Sequence, residues 1–428
     1  MKKIAILVFF TVGFFVHVWA CTGLIAGKQA TVDGSVLVTY SADSHTLYGA
    51  LTSSPAADWP KGSMRSIVEW DTNKPLGEIE QVEHTYAVIG NMNEHQLTVV
   101  ESTWGGRPEL VDTTGIIDYG SLMQLALERA KTAREAIKVM TGLVKKYGYY
   151  SSGESFTIAD PNEAWILDLI GKGPGRRGAV WVAVRIPDDC IAGHANYPRI
   201  HKIPMDDKEN CLYSPDVISF AREMGYFDGL NKDFSFARAY LPADFGALRA
   251  CDARVWSFFR KYDSSMDNYL PYVNGESAEP FPLYVKPSRK LSVQDMKEAM
   301  RDHFEDTPFD MTQDVGAGPF KVPYRFRPMS FEVDGKSYCM ERAIATQQTG
   351  FTLVGQMRNW LPDPVGGVLW FGVDDANTCV YIPMYCGITQ VPECFSPENG
   401  SMYDFSWTSA FWIHNWVANM AYARYEPM

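Results

Sequence analysis

One junction constrains this chain of 428 residues more than any other. Lys2 and Lys3 precede an apolar run from Ile4 to Val16, Val18 and Ala20 follow, and Cys21 then stands directly ahead of the strand-like segment "TGLIAGKQAT". A basic flank, a short apolar stretch and small residues before a boundary are the marks of an export leader cut between Ala20 and Cys21. The division expected is a signal peptide over 1–20 and one folded domain over 21–428. The run is too short to span a bilayer, and no other stretch approaches spanning length, so no transmembrane span is expected. The implied location is periplasmic or extracellular.

Removing the leader leaves 37 basic against 51 acidic side chains, which argues against nucleic acid or an anionic membrane as a partner. The sequence contains no repeat, low-complexity tract or linker that forces a division. Its oligomeric state is open, a homo-oligomer included. Eight cysteines in an exported chain permit disulfides, but setting Cys21 aside leaves seven, an odd number. With no CxxC pair, no HExxH and only the widely spaced His194 and His201 in "HANYPRIH", neither a metal site nor a cofactor is expected.

The pattern after Cys21 is one of hairpins. Asp33-Gly34 sits between "TGLIAGKQAT" and "SVLVTYS" and predicts a tight turn. Further strand pairs are read around "NMNEH", around Pro161-Asn162, and into "AVWVAVRI", with "GGVLWFGVDD" and "TCVYIPMYC" near the end. Helices interrupt them. "GSLMQLALERAK" and "TAREAIKVMTGLVKKYG" carry apolar residues at three and four spacing, with a capping box predicted between Thr132 and Glu135. Helix starts are also predicted at Ser214-Pro215 and at Ser292, and Trp256, Phe258 and Phe259 read as one buried helical face. Antiparallel sheet covered by helices, an α+β fold, follows.

Cys21 admits three readings. As a lipid anchor it lacks a flexible tether, and Trp19 fits a lipidation signal badly. As half of a disulfide it would tie down a strand that already belongs to a sheet. As a nucleophile it has a specific chemistry: a freed α-amine, with a reference pKa of about 7.7 to 8.0, can take the proton of a thiol whose own is about 8.5. One residue then supplies both nucleophile and base, and an oxyanion site must lie nearby.

"CTGLIAGKQATVDGSV" resembles the opening of the N-terminal-nucleophile cysteine dipeptidases, the family of dipeptidase A and the secernins, with penicillin V acylase and bile salt hydrolase as more distant kin. "MNEHQLTVVESTWGGR", "SFTIADPNEAWILDL", "VWVAVRIPDDCIAGHAN", "FGALRACDARVWSFFR", "ERAIATQQTGFTLV" and "GGVLWFGVDDANTCVYIPMYC" continue the resemblance in order. It implies a four-layer αββα sandwich that cleaves dipeptides or short peptides through a thioester on Cys21, without a metal. It further implies that Asp43 orients the terminal amine, that Asn196 faces the oxyanion, and that Arg254, or Arg249 by the other alignment of "LRACDAR", is the distal arginine. Tyr40 stands where most members of the family have an arginine, so either another arginine takes its place or substrate range and pH response differ. The same fold is compatible with an acylase for N-acyl amides or bile-salt conjugates, or with a lipid-anchored binding protein that has lost catalysis.

Overall fold

The computed structural model describes residues 21–242, 244–325 and 330–428; the leader over 1–20 lies outside the described residues. Two large sheets dominate. The first has seven strands, in the order Tyr284–Val285, β7 (Ile191–His194), β1 (Gly23–Ala26), β2 (Val36–Asp43), β8 (Thr349–Met357), β9 (Val368–Val373) and β10 (Ile382–Tyr385). The second has eight, in the order Cys211–Tyr213, β6 (Ala179–Ile186), β5 (Ala164–Gly171), β4 (Gly153–Ala159), β3 (Thr98–Gly105), Met92–Asn93, Val88–Ile89 and Ser53–Ser54. Neighbouring strands in both run antiparallel. The fold is α+β.

Period-two alternation sorts the side chains. In β2, Val36, Val38, Tyr40 and Ala42 join a cluster that also holds Val100 of β3, Ile166 of β5 and Val182 of β6, while Leu37 packs the other way. That other side meets α4 (Ala253–Arg260) and α5 (Val293–Met300) through Trp256, Phe258, Phe259, Met296 and Met300, so the predicted aromatic face is core. On the far side of the second sheet, Val99, Phe156, Trp165 and Leu167 pack against α1 (Tyr119–Arg129) and α2 (Ala133–Tyr147).

His194 is the polar pin between the sheets. Its Nδ1 lies 2.6 Å from Ser102 Oγ of β3 and its Nε2 2.8 Å from Thr157 Oγ1 of β4. Burial pushes its pKa down to about 3, helped by Arg254 and Arg199, so the ring stays neutral with one nitrogen donating and the other accepting. Gly23 makes room for it, since a Cβ there would meet His194 Nε2 at 2.9 Å.

Four local expectations need correction. Only Ile25 and Ala26 pair β1 with β2; the connection swings out to bond Gly27 and Gln29 to the 188–190 segment, and the Asp33-Gly34 turn, with Gly34 at φ 86°, ends a long loop. At α2 the Thr132 cap accepts from the Glu135 amide, but the Glu135 carboxylate accepts from Lys131, one residue outside the box. α3 (Val217–Glu223) begins after Ser214-Pro215, because Ser214 still bonds to Trp181 of β6, and the Asp216 carboxylate turns to Lys172 at 2.5 Å instead of capping. The helix from Ser292, expected from the pattern to run through "VQDMKEAMRDHF", has its full capping box with Asp295 but ends at Met300, before "RDHF". Among the described residues Cys21, Cys190, Cys211, Cys251, Cys379, Cys386 and Cys394 are thiols outside any disulfide.

Candidate active site

Cys21 stands where β1 meets β2, its neighbour Thr22 bridged to Ser41 by a pair of backbone hydrogen bonds. Its side chain joins the apolar cluster between the sheets and is buried. The sulfur lies 3.6 Å from the Tyr40 hydroxyl, and Tyr40 donates onward to Glu101 Oε1 at 2.5 Å. Burial, then the charges of Glu101 and Asp43, push the thiol well above its ordinary pKa, opposed by hydrogen bonds from Tyr40 and from the Asp43 backbone. Unaided, this thiol is not a thiolate at neutral pH.

Arg254 organises the other side. A π turn over Leu248–Asp252 precedes α4 and places the buried guanidinium at the start of β1. Its Nη1 donates to the Cys21 carbonyl at 2.9 Å and to Thr22 Oγ1 at 2.8 Å; its Nη2 donates to Asn196 Oδ1 at 2.8 Å and to the Ala195 carbonyl at 3.2 Å. One rigid planar fork thus fixes the nucleophile's backbone and the Asn196 amide together. Asn196, just beyond β7, adopts φ 54°, a left-handed conformation that asparagine tolerates better than most residues. Because Arg254 holds Oδ1, the Nδ2 group must donate, and one of its hydrogens goes to the Thr103 carbonyl at 2.5 Å. The second is free to serve an oxyanion.

Asp43, the last residue of β2, accepts from Thr349 Oγ1 at 2.7 Å and from Ser41 Oγ at 3.3 Å. Burial pushes its pKa up to about 6, against the pull of Arg342, Thr349, Arg254 and Ser41. Cys21, Asp43, Asn196 and Arg254 are therefore brought into one neighbourhood. Arg249 is not; it pairs with Glu341 and lies over the Phe309 ring. None of the four lines the cleft of about 990 Å³ between His201 and Phe281.

Three participants escaped sequence reasoning. Arg342, buried and bonded to Gln348 Oε1 at 2.7 Å, supplies the largest favourable charge to Asp43 and also feels Cys21, where Tyr40 offers no cation. Its own pKa is pushed down to about 10 by burial and by Arg254. Glu101 and Glu154 are fully buried carboxyls on neighbouring strands. The one available signal was a charge inside an apolar strand, as in "LTVVEST" and "GESFTIA". Among the described residues no group of His, Cys, Asp and Glu is arranged to hold a metal ion, and no helix is long and apolar enough to cross a membrane.

A cysteine fixed by its own carbonyl beside a buried carboxylate and an amide donor has the parts of an acyl-transfer site. The chain belongs to peptidase family C69, which it matches over residues 20–428. It is similar to a probable dipeptidase of Latilactobacillus sakei, 24% identical over 429 residues covering 95% of this chain and 82% of that one. It is also similar to a probable dipeptidase of Salmonella dublin, 26% identical with 86% and 81% covered, and to dipeptidase A of Lactobacillus helveticus, 24% identical with 95% and 82% covered.

Proposed function

We propose that this chain is an exported cysteine-type dipeptidase whose nucleophile, Cys21, becomes the N-terminal residue when residues 1–20 are removed. The observation that carries this reading is the Arg254 fork, which holds the Cys21 carbonyl and the Asn196 amide at once and so fixes nucleophile and oxyanion donor against each other. Membership of the C69 family and the dipeptidase names of its relatives support the substrate class. The fold that fits is the four-layer αββα sandwich, supported by apolar clusters between the sheets and on both outer faces.

The chemistry follows from the positions. Cutting before Cys21 creates an amine on the residue whose thiol must lose a proton. The amine accepts that proton as sulfur attacks the scissile carbonyl, the oxyanion takes the free Asn196 N–H, and the amine passes the proton to the departing amino acid. Water then attacks the thioester, giving its proton to the same amine and regenerating the thiol. Asp43 holds the ammonium form between these transfers.

The test keeps every side chain. Protein expressed from Cys21 is compared with protein carrying one extra residue that cannot be trimmed, its retention shown by intact mass. An amide nitrogen cannot accept a proton, so dipeptide hydrolysis is expected to fall at least ~100-fold while the melting temperature is nearly unchanged. Equal rates would refute the N-terminal nucleophile, and a diacylated cysteine at the natural N-terminus would point to a lipid-anchored protein.

A further inference from the structure

Behind Tyr40 lies a pair of carboxyl groups that the reaction above does not use. Glu101 and Glu154 sit at 2% and 0% exposure, and among the described residues neither forms an ion pair with any lysine, arginine or histidine. Thr103 Oγ1 links them, 2.8 Å from Glu154 Oε1 and 3.5 Å from Glu101 Oε2, and the two carboxyls are within hydrogen-bonding reach of each other. Two buried carboxyls this close cannot both ionise. Tyr40 donates to Glu101, which places the negative charge there and the shared proton on Glu154. A buried anion without a cation is costly unless a ligand supplies one.

The distance to the nucleophile shows which ligand. Tyr40 bridges the Cys21 sulfur and Glu101 Oε1 through contacts of 3.6 and 2.5 Å, so this oxygen lies within about 6 Å of the sulfur. In a near-attack geometry the scissile carbonyl carbon is about 3 to 3.5 Å from sulfur, and the α-nitrogen of the same residue is two bonds further on. An α-ammonium is the one cation that every dipeptide carries at that place.

Resting on the dipeptidase reading above, we propose that Glu101 binds the free α-ammonium of the substrate's first residue and thereby selects unblocked peptides over N-acyl amides. The salt bridge also removes the charge that opposes thiolate formation at Cys21, so a correct substrate helps to activate its own nucleophile. The ionisable side chains around Glu101 are those of Cys21, Tyr40, Glu154, Asp71, Tyr119 and Tyr149, and all are acids; the one basic group nearby is the Cys21 α-amine that the cut creates, which on the reading above is held by Asp43.

The experiment compares alanyl-alanine with propionyl-alanine, the same molecule without its amine, in the wild type and in Glu101→Gln. The wild type is expected to favour the dipeptide by about 100-fold or more in kcat/KM, and the variant to bring the two within about tenfold by losing the dipeptide alone. Equal loss on both substrates, or an unchanged preference in a variant that melts normally, would overturn the proposal. Wild-type preference for propionyl-alanine would instead overturn the dipeptidase reading, and this inference with it. If the variant does not fold, inhibition of the wild type decides. Alaninamide is expected to compete with the dipeptide at concentrations where propionamide does not; equal inhibition would refute the role.

Discussion

At the scale of single residues the site is a set of short-range constraints on one sulfur and one amide. Asn196 has its carbonyl oxygen fixed by Arg254 and one N–H spent on Thr103, so its remaining hydrogen has a defined direction. Asn196→Ala is therefore expected to lower kcat by about 10² to 10³ while KM changes little, measured by steady-state hydrolysis of a dipeptide; a KM effect alone would make Asn196 a binding residue. Cys21, Asp43, Asn196 and Arg254 could be named in advance because the resemblance matches each of them, one by one, to a family position. Arg342, Glu101 and Glu154 were not, since their significance lies in what the fold places beside them. Arg342 is remote in sequence from Asp43, and only the pairing of β8 with β2 brings its segment there. Tyr40 read as a lost cation, whereas in the structure it carries a hydrogen-bond path from sulfur to carboxylate.

Among the elements, the strands were the easiest to read and the connections the hardest. Alternation in β2, β4, β5 and β6 survives because each strand is sandwiched, with one face toward the other sheet and one toward helices. The Asp33-Gly34 signal was real as a turn and misleading as a hairpin, because the residues before it find backbone partners at 188–190 that no local pattern announces. β1 is the short element on which most depends, and Gly23 is its tightest point. Gly23→Ala would force a methyl group against the His194 ring, where the pin between the sheets cannot yield without losing Ser102 or Thr157. The expected result is a destabilisation of about 1 to 3 kcal/mol by chemical denaturation, together with a fall in kcat as the start of β1 shifts. Normal stability with normal turnover would mean that the ring relaxes freely.

For the whole molecule, the neutral His194 links stability to pH. The unfolded chain takes up a proton near pH 6.5, but the folded ring resists one until about 3, so acidification between those values favours unfolding. Relative to His194→Gln, the wild type is expected to lose about 2 kcal/mol between pH 7.5 and pH 5, read from denaturant midpoints; a constant difference would show that the folded ring accepts its proton readily. The same global arrangement explains why the α+β class was legible while the site's full charge inventory was not. Class follows from local periodicity, but a charge inventory sums contributions from strands and loops that meet only after folding. The Arg254 fork has a last consequence, one of timing. It grips the chain on the downstream side of Cys21, through a carbonyl and a neighbouring hydroxyl that exist before any cut. On the proposed reading the precursor is a finished but silent catalyst, and maturation changes one bond without rebuilding anything. Activity then appears as fast as the leader is removed, and peptides in the compartment of synthesis are spared by covalent latency, with no separate inhibitor.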